Sequence, residues 1–176
     1  MRSTFRTTGD IKSVPILFLD IETTGLHPDR GAWITEIALL GDRGVRLATK
    51  LQPGDDRILS TKLPYLIDQL GSGVVVGHNV QFDLRFIAYE ADRLGETGPD
   101  LQFIDTLGLA RKLLTRARDH CLKTALRAFD ITPRGELHSA ITDARAVRSL
   151  FWRMIDHGGF GTLADAGLKP LNWRAF

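Results

Sequence analysis

The chain alternates strand-length apolar runs with stretches of helical periodicity. Val14 to Ile21 is an almost unbroken apolar run ending in carboxylates, the pattern of a strand buried on both faces of a sheet. Ala32 to Leu40 and Val45 to Leu51 read as two antiparallel strands joined by a short turn at Gly41 to Gly44. A short helix from about Thr61 to Leu70 leads through Gly71 and Gly73 into Val74 to Val76, a brief β-branched strand closed by Gly77. From Gln81 to Leu94 the apolar residues Phe82, Phe86 and Tyr89 recur at helical spacing, and Gly95 stops the pattern. Leu101 to Ile104 is a fifth strand, Asp105 is placed to cap a helix from Thr106 to Leu114, and Leu122 to Phe129 predicts another. The last helix, Ser139 to Asp156, puts Val147, Leu150, Phe151 and Met154 on one stripe and ends at Gly158 and Gly159. This order predicts an α/β domain over residues 14–157, a mixed five-stranded sheet flanked by helices, with an antiparallel hairpin at one side and parallel strands at the other. Residues 1–13 read as a flexible N-terminus, and residues 158–176 as a tail packed on the domain or used against a partner.

Composition excludes some classes. A chain of 176 residues, 43% of them hydrophobic, can bury a core without staples, and a single cysteine, Cys121, rules out an internal disulfide framework and a multi-cysteine zinc site. Cys121 itself reads as a small buried or half-buried residue. No apolar run approaches the roughly 20 residues of a membrane span, and Met1 to Ser13 lacks the apolar stretch of a secretory signal, so a cytoplasmic protein without membrane contact is expected. The net charge of +2 points by itself to neither a basic nor an acidic partner.

The polar residues that break the apolar pattern are more informative. Asp20 and Glu22 stand two apart at the end of a buried strand, so their side chains leave the same face. Two carboxylates there are costly unless a cation or hydrogen-bond donors compensate, although solvated residues at a loop would also fit. Asp143 shares a helical stripe with Val147, Leu150 and Met154, which places an acid at the head of a buried face; a cap or a surface carboxylate is the plainer alternative. His138 falls five residues earlier, just before that helix. Asp83 lies in the first turn of the helix after Val74 to Val76, where an acid ordinarily complements the helix dipole. If that strand runs parallel beside Val14 to Ile21, however, the carboxyl ends of both strands open on one crevice. Together Asp20, Glu22, Asp83 and Asp143 form an oxygen-rich set suited to two divalent cations, Mg²⁺ or Mn²⁺, the arrangement used for in-line phosphoryl displacement.

The strings "FLDIETTGL", "GHNVQFDLRFI" and "HSAITDA" resemble the three exonuclease motifs of the DEDDh, or DnaQ-like, 3′-to-5′ exonucleases, a family that includes the proofreading epsilon subunit of bacterial DNA polymerase III and RNase T. Their order, spacing and residue types match, from Leu17 to Ala144. The resemblance implies a ribonuclease H-like fold, Asp20, Glu22 and Asp143 as direct metal ligands, Asp83 as a ligand of the second metal largely through water, and His138 as general base. An imidazole titrates close enough to neutral pH to accept a proton from an activated water. The histidine five residues before the last acid marks the histidine branch; Ser139 stands where the other branch has tyrosine.

By the same resemblance Thr23, Thr24, Gly25 and Leu26 hold the 3′-terminal nucleotide, with backbone groups on its sugar and Leu26 against its base. Phe82 is a candidate for the same base or for core packing, and His78 for lining the crevice or for a hydrogen bond within its turn. The stretch between Leu51 and Val74 is shorter than is usual in the family. Six basic residues between Arg111 and Arg127 read either as a phosphate-facing surface or as a solvated helical face. The expected activity is release of nucleoside 5′-monophosphates from a single-stranded 3′ end, DNA rather than RNA, with a polymerase or other replication or repair protein as a candidate partner. An exoribonuclease of the same family and a non-catalytic binding module are the alternatives. With two divalent cations on the four acids the protein would carry a net charge of about +6, so near neutrality does not argue against a nucleic-acid partner.

Overall fold

A computed structural model of the chain describes residues 7–41 and 44–173. Its centre is β1 (Ile16–Thr23), which pairs antiparallel with β2 (Ile34–Gly41); β2 in turn pairs antiparallel with β3 (Gly44–Lys50). On its other side β1 pairs in parallel with β4 (Val74–Gly77), and β4 in parallel with β5 (Leu101–Asp105). The expected mixed sheet is therefore present, with one addition. A sixth strand, β6 (Lys169–Leu171), pairs antiparallel with β5, giving the order β3-β2-β1-β4-β5-β6. Three residues centred on Pro170 carry no alternation to read from sequence, and proline is tolerated there because β6 is an edge.

Helices cover both faces. Side chains of β1 alternate: Leu17, Leu19 and Ile21 join one core with α1 (Asp56–Leu70) and α2 (Val80–Arg93). Ile16 and Phe18 join the other, with α3 (Thr106–Leu113), α4 (Leu122–Ala128) and α5 (Ala140–Gly158). By the same alternation Asp20 and Glu22 continue the row of Ile16 and Phe18 toward α5. In β2, Ala38 and Leu40 belong to this second core, so Glu36 lies on that face too.

Several expectations are corrected. Helix α1 starts at Asp56 rather than Thr61, because the Asp55 carboxylate caps it by accepting from the Ile58 N–H at 3.2 Å. Pro64, inside the helix, donates no N–H to the Ser60 carbonyl, yet Leu59, Leu63, Leu66, Ile67 and Leu70 all bury, and that packing outweighs the lost bond. In α2 the buried face is Leu84, Phe86, Ile87 and Ala91, with Tyr89 exposed. Cys121 is exposed at the start of α4, its thiol against the Thr124 hydroxyl. Ile11 is buried and its N–H donates to the Gly161 carbonyl at 3.2 Å, so residues 7–13 are not a loose terminus; residues 1–6 lie outside those described. After α5, Leu163, Ala166 and Trp173 are buried, and Trp173 packs on Gly98, where any side chain would collide with the indole.

Candidate active site

The parallel pairing of β1 with β4 brings the carboxyl ends of both strands to one place, and three elements deliver acids there. Asp20 and Glu22 come from β1, Asp83 from the first turn of α2 and Asp143 from the first turn of α5. Asp83 is buried, 6% exposed, and its carboxylate accepts from the Ile21 N–H at 2.9 Å, which ties α2 to the middle of the acid-bearing strand. Asp143, 8% exposed, accepts from the His138 N–H at 3.3 and 3.4 Å. His138 adopts a left-handed backbone with φ 74°, a conformation that a non-glycine residue takes at some cost. The backbone reversal lets its amide reach Asp143 while its exposed ring joins the cluster. One ligand atom each from Glu22, His138 and Asp143 lies within 4.8 Å of the others.

This crowding has an electrostatic signature. Burial first, then repulsion from Asp83, Asp143, Glu22 and Glu36, pushes the Asp20 carboxyl up to about 10. Burial holds Asp83 well above the ordinary carboxylate range despite the Ile21 hydrogen bond, and it also raises Glu22 and Asp143. An oxygen-rich acidic set strained in this way fits divalent cations, with Asp20, Glu22, Asp83 and Asp143 as the residues that would hold them.

Between the ordinary value of 3.8 and about 10 the folded chain binds a proton at Asp20 that the unfolded chain has released. Without metal, stability should therefore fall as pH rises through this window. Thermal melts in EDTA at about pH 7.5 and pH 9, above the histidine range, should give the lower melting temperature at pH 9, and addition of Mg²⁺ or Mn²⁺ should raise it. An equal or higher melting temperature at pH 9 in EDTA would contradict this electrostatic account.

The residues expected to hold a terminal nucleotide form a built edge beside the cluster. Thr23 donates its hydroxyl to the Gly25 carbonyl at 2.7 Å, and Thr24 accepts the Trp33 N–H on its hydroxyl at 2.9 Å. At Gly25 an added Cβ would stand 3.3 Å from the Ala32 Cβ, so the loop is closely packed there. Leu26 projects into solvent, 68% exposed. Phe82 is half-buried against Phe86, with ring centroids 5.0 Å apart, and so packs on the core. His78 is committed elsewhere: its ring nitrogens lie 3.0 Å from the Thr106 hydroxyl and 2.8 Å from the His120 carbonyl, binding the end of β4 to the segment before α4.

Two contributors, Arg85 and Glu36, were not among the expected site residues. Arg85 donates to the Leu26 carbonyl at 2.7 Å and lies over the Phe82 ring, joining α2 to the exposed edge. Glu36, opposite Glu22 in the β1–β2 register, accepts from the Ala140 N–H at 3.2 Å and the Ser139 hydroxyl at 3.3 Å, and pairs with Lys50 at 2.8 Å. It thereby caps α5 and fixes the segment that carries His138 and Asp143. Burial pushes its carboxyl up, but the Lys50 and Ala140 hydrogen bonds outweigh this and hold it below its ordinary value. The signal was available in strand parity, since Glu36 lies on the same face as Ala38 and Leu40. Glu36→Ala should cost about 1–3 kcal/mol by orphaning the helix end, and Glu36→Gln, which keeps an acceptor, should recover most of it in urea unfolding. Equal stability of Glu36→Ala and the parent would remove the capping role.

A sequence profile described as Exonuclease, of the RNase T type, matches residues 59–151, more than half of the chain. The chain belongs to this exonuclease family. The resemblance drawn from the three motifs therefore holds, and the family accounts for the convergence of acids just described. The DNA polymerase III PolC-type of Halalkalibacterium halodurans is 37% identical over 86 residues, 49% of this chain and 6% of that protein. The PolC-type polymerase of Thermotoga maritima is 27% identical over 161 residues, 78% of this chain and 12% of that protein. The exonuclease chain thus spans a small part of these relatives. Among solved structures, cell-death related nuclease 4 superposes with a TM-score of 0.65 at 15% identity, covering 92% of this chain and 82% of that one. The nuclease domain of 3′hExo, described as a DEDDh family member bound to rAMP, gives 0.63 at 14%, covering 93% and 99%. Both share the fold. No helix among the described residues is long and apolar enough to cross a membrane.

Proposed function

We propose that this exonuclease is metal-dependent and works in the 3′-to-5′ direction on single-stranded DNA, releasing nucleoside 5′-monophosphates. The observation that carries the reading is the convergence of Asp20, Glu22, Asp83 and Asp143 beside the ring of His138. Asp20, Glu22, Asp83 and Asp143 would hold two divalent cations, Mg²⁺ or Mn²⁺, which when bound would supply positive charge for the scissile phosphate and lower the pKa of a water. His138 accepts the proton of that water as its oxygen attacks phosphorus in line. The 3′ oxygen of the preceding nucleotide leaves and takes up a proton from solvent, to which His138 afterwards returns the one it accepted, so one water is consumed and a 5′-monophosphate and a new 3′-hydroxyl are formed. Asp143 orients His138 through the backbone hydrogen bond, Thr23 to Leu26 present the edge for the terminal sugar, and Leu26 and Phe82 flank its base.

DNA is favoured by the PolC-type relatives, which also support a replicative polymerase as partner. RNA is the second reading, supported by the neighbour bound to rAMP and by another whose description is 3′-end recognition of a histone mRNA stem-loop. Digestion of matched DNA and RNA oligonucleotides, each with a free or a phosphorylated 3′ end, tests direction and sugar together. Faster loss of DNA, slowed by the 3′-phosphate block, supports the proposal. Faster loss of RNA moves it to the second reading, and indifference to the 3′ block contradicts the direction.

A further inference from the structure

Beside the acidic site, across α5, lies a groove of about 590 Å³ between the segment Ile131 to Arg134 and the outward side of the helix. Arg134, Arg145 and Arg148 line it, and no carboxylate does. Among the described residues none of these three guanidinium groups has an ion-pair or hydrogen-bond partner. Single unpaired arginines are ordinary on a surface, but three in one concavity repel each other and form a preorganised receptor for an anion. Guanidinium forks match phosphate oxygens in particular. Thr132 adds a hydroxyl to the same wall.

The groove and the acidic site share one corner of the fold. Arg134 stands four residues before His138 on the segment that enters α5, and Gly135 holds that segment against the helix. With φ 126°, a Cβ there would sit 3.1 Å from the Thr142 hydroxyl. On α5, Asp143 heads the buried side, while Arg145 follows two residues later on the exposed side and Arg148 stands about 5 Å further along the axis. A strand whose 3′ end lies at Asp20 and Asp143 therefore needs to cross only the His138 segment to bring its upstream phosphates over the arginines. The geometry points to the groove as a binding site for backbone phosphates of the substrate strand, upstream of the terminal nucleotide. This rests on the proposed exonuclease reading and extends it. The groove confers affinity that grows with strand length and carries no sequence preference.

The triple variant Arg134→Gln, Arg145→Gln, Arg148→Gln changes exposed or half-buried side chains, and equal thermal melts establish that it folds. Steady-state degradation is compared for a single-stranded 12-mer and a dinucleotide in Mg²⁺, at several salt concentrations. The expected result is a KM for the 12-mer raised about 10- to 100-fold, with kcat and dinucleotide turnover unchanged. The slope of log affinity against log salt should be shallower by about 2, for three lost phosphate contacts. Unchanged KM and slope, in a parent that degrades the 12-mer, overturn the groove and leave the exonuclease reading standing. A parent that degrades nothing overturns the exonuclease reading, and the groove is then judged by anisotropy of a labelled 12-mer in EDTA, where equal binding by parent and variant overturns it. Titration with inorganic phosphate separates the two sources of the ligand. Binding of phosphate by the parent only, with 12-mer parameters equal in both proteins, assigns the groove to a free anion and overturns the strand-binding inference.

Discussion

Asp20→Asn should abolish exonuclease activity while raising the melting temperature of the metal-free protein. The two effects have one cause. Asp20 is pushed up to about 10 by burial and by Asp83, Asp143, Glu22 and Glu36, so its ionised form opposes folding until a cation balances it. An amide of the same shape removes that repulsion, and each kcal/mol relieved raises the melting temperature by about 2–4 °C in a chain of this size. The same change removes a donor for the divalent cations, and several kcal/mol of transition-state charge stabilisation is lost with it, about a thousandfold or more in rate. The stabilising effect of added Mg²⁺ or Mn²⁺ should shrink in parallel. Melts and rates on the same preparation check both halves; an active variant, or one destabilised in EDTA, contradicts the assignment.

His138→Asn should lower kcat by about 10²- to 10⁴-fold, the ordinary worth of a general base, while keeping the fold and the gain in melting temperature on adding metal. Asparagine suits the substitution because it tolerates the left-handed backbone that His138 adopts at φ 74° and keeps the N–H that Asp143 accepts. Loss of the metal-induced melting shift would instead make the His138 ring a ligand, a role its position within 4.8 Å of Glu22 and Asp143 oxygens allows. Activity within about threefold of the parent would remove His138 from the chemistry.

Much of this site could be read from local spacing. Asp20 and Glu22 share a strand face, Asp143 heads the α5 stripe, and the parallel β1–β4 pairing that unites them with Asp83 follows from the order of elements. What escaped depends on contacts distant in sequence. Strand parity puts Glu36 on the site's face, but its capping role depends on bonds to Ser139 and Ala140, more than a hundred residues away, and the role of Arg85 on its reach to Leu26. For His78 the motif leaves open either the crevice or a hydrogen bond within its turn, and the partners its ring takes, the Thr106 hydroxyl and the His120 carbonyl, are distant in sequence. The sixth strand and the early start of α1 were obscured for opposite reasons: Pro170 sits on a permissive edge, and Pro64 sits in a helix whose buried stripe overrides the missing N–H.

Four acids and one histidine acting together should degrade a strand from its 3′ end. A 5′-labelled single-stranded DNA oligonucleotide, incubated with the protein in Mg²⁺ or Mn²⁺ and resolved at single-nucleotide steps, tests it directly. The expected result is a ladder shortening one residue at a time, nucleoside 5′-monophosphate in solution, no reaction in EDTA and none with Asp20→Ala. Internal fragments, immediate release of a labelled mononucleotide, or equal degradation by Asp20→Ala would contradict it.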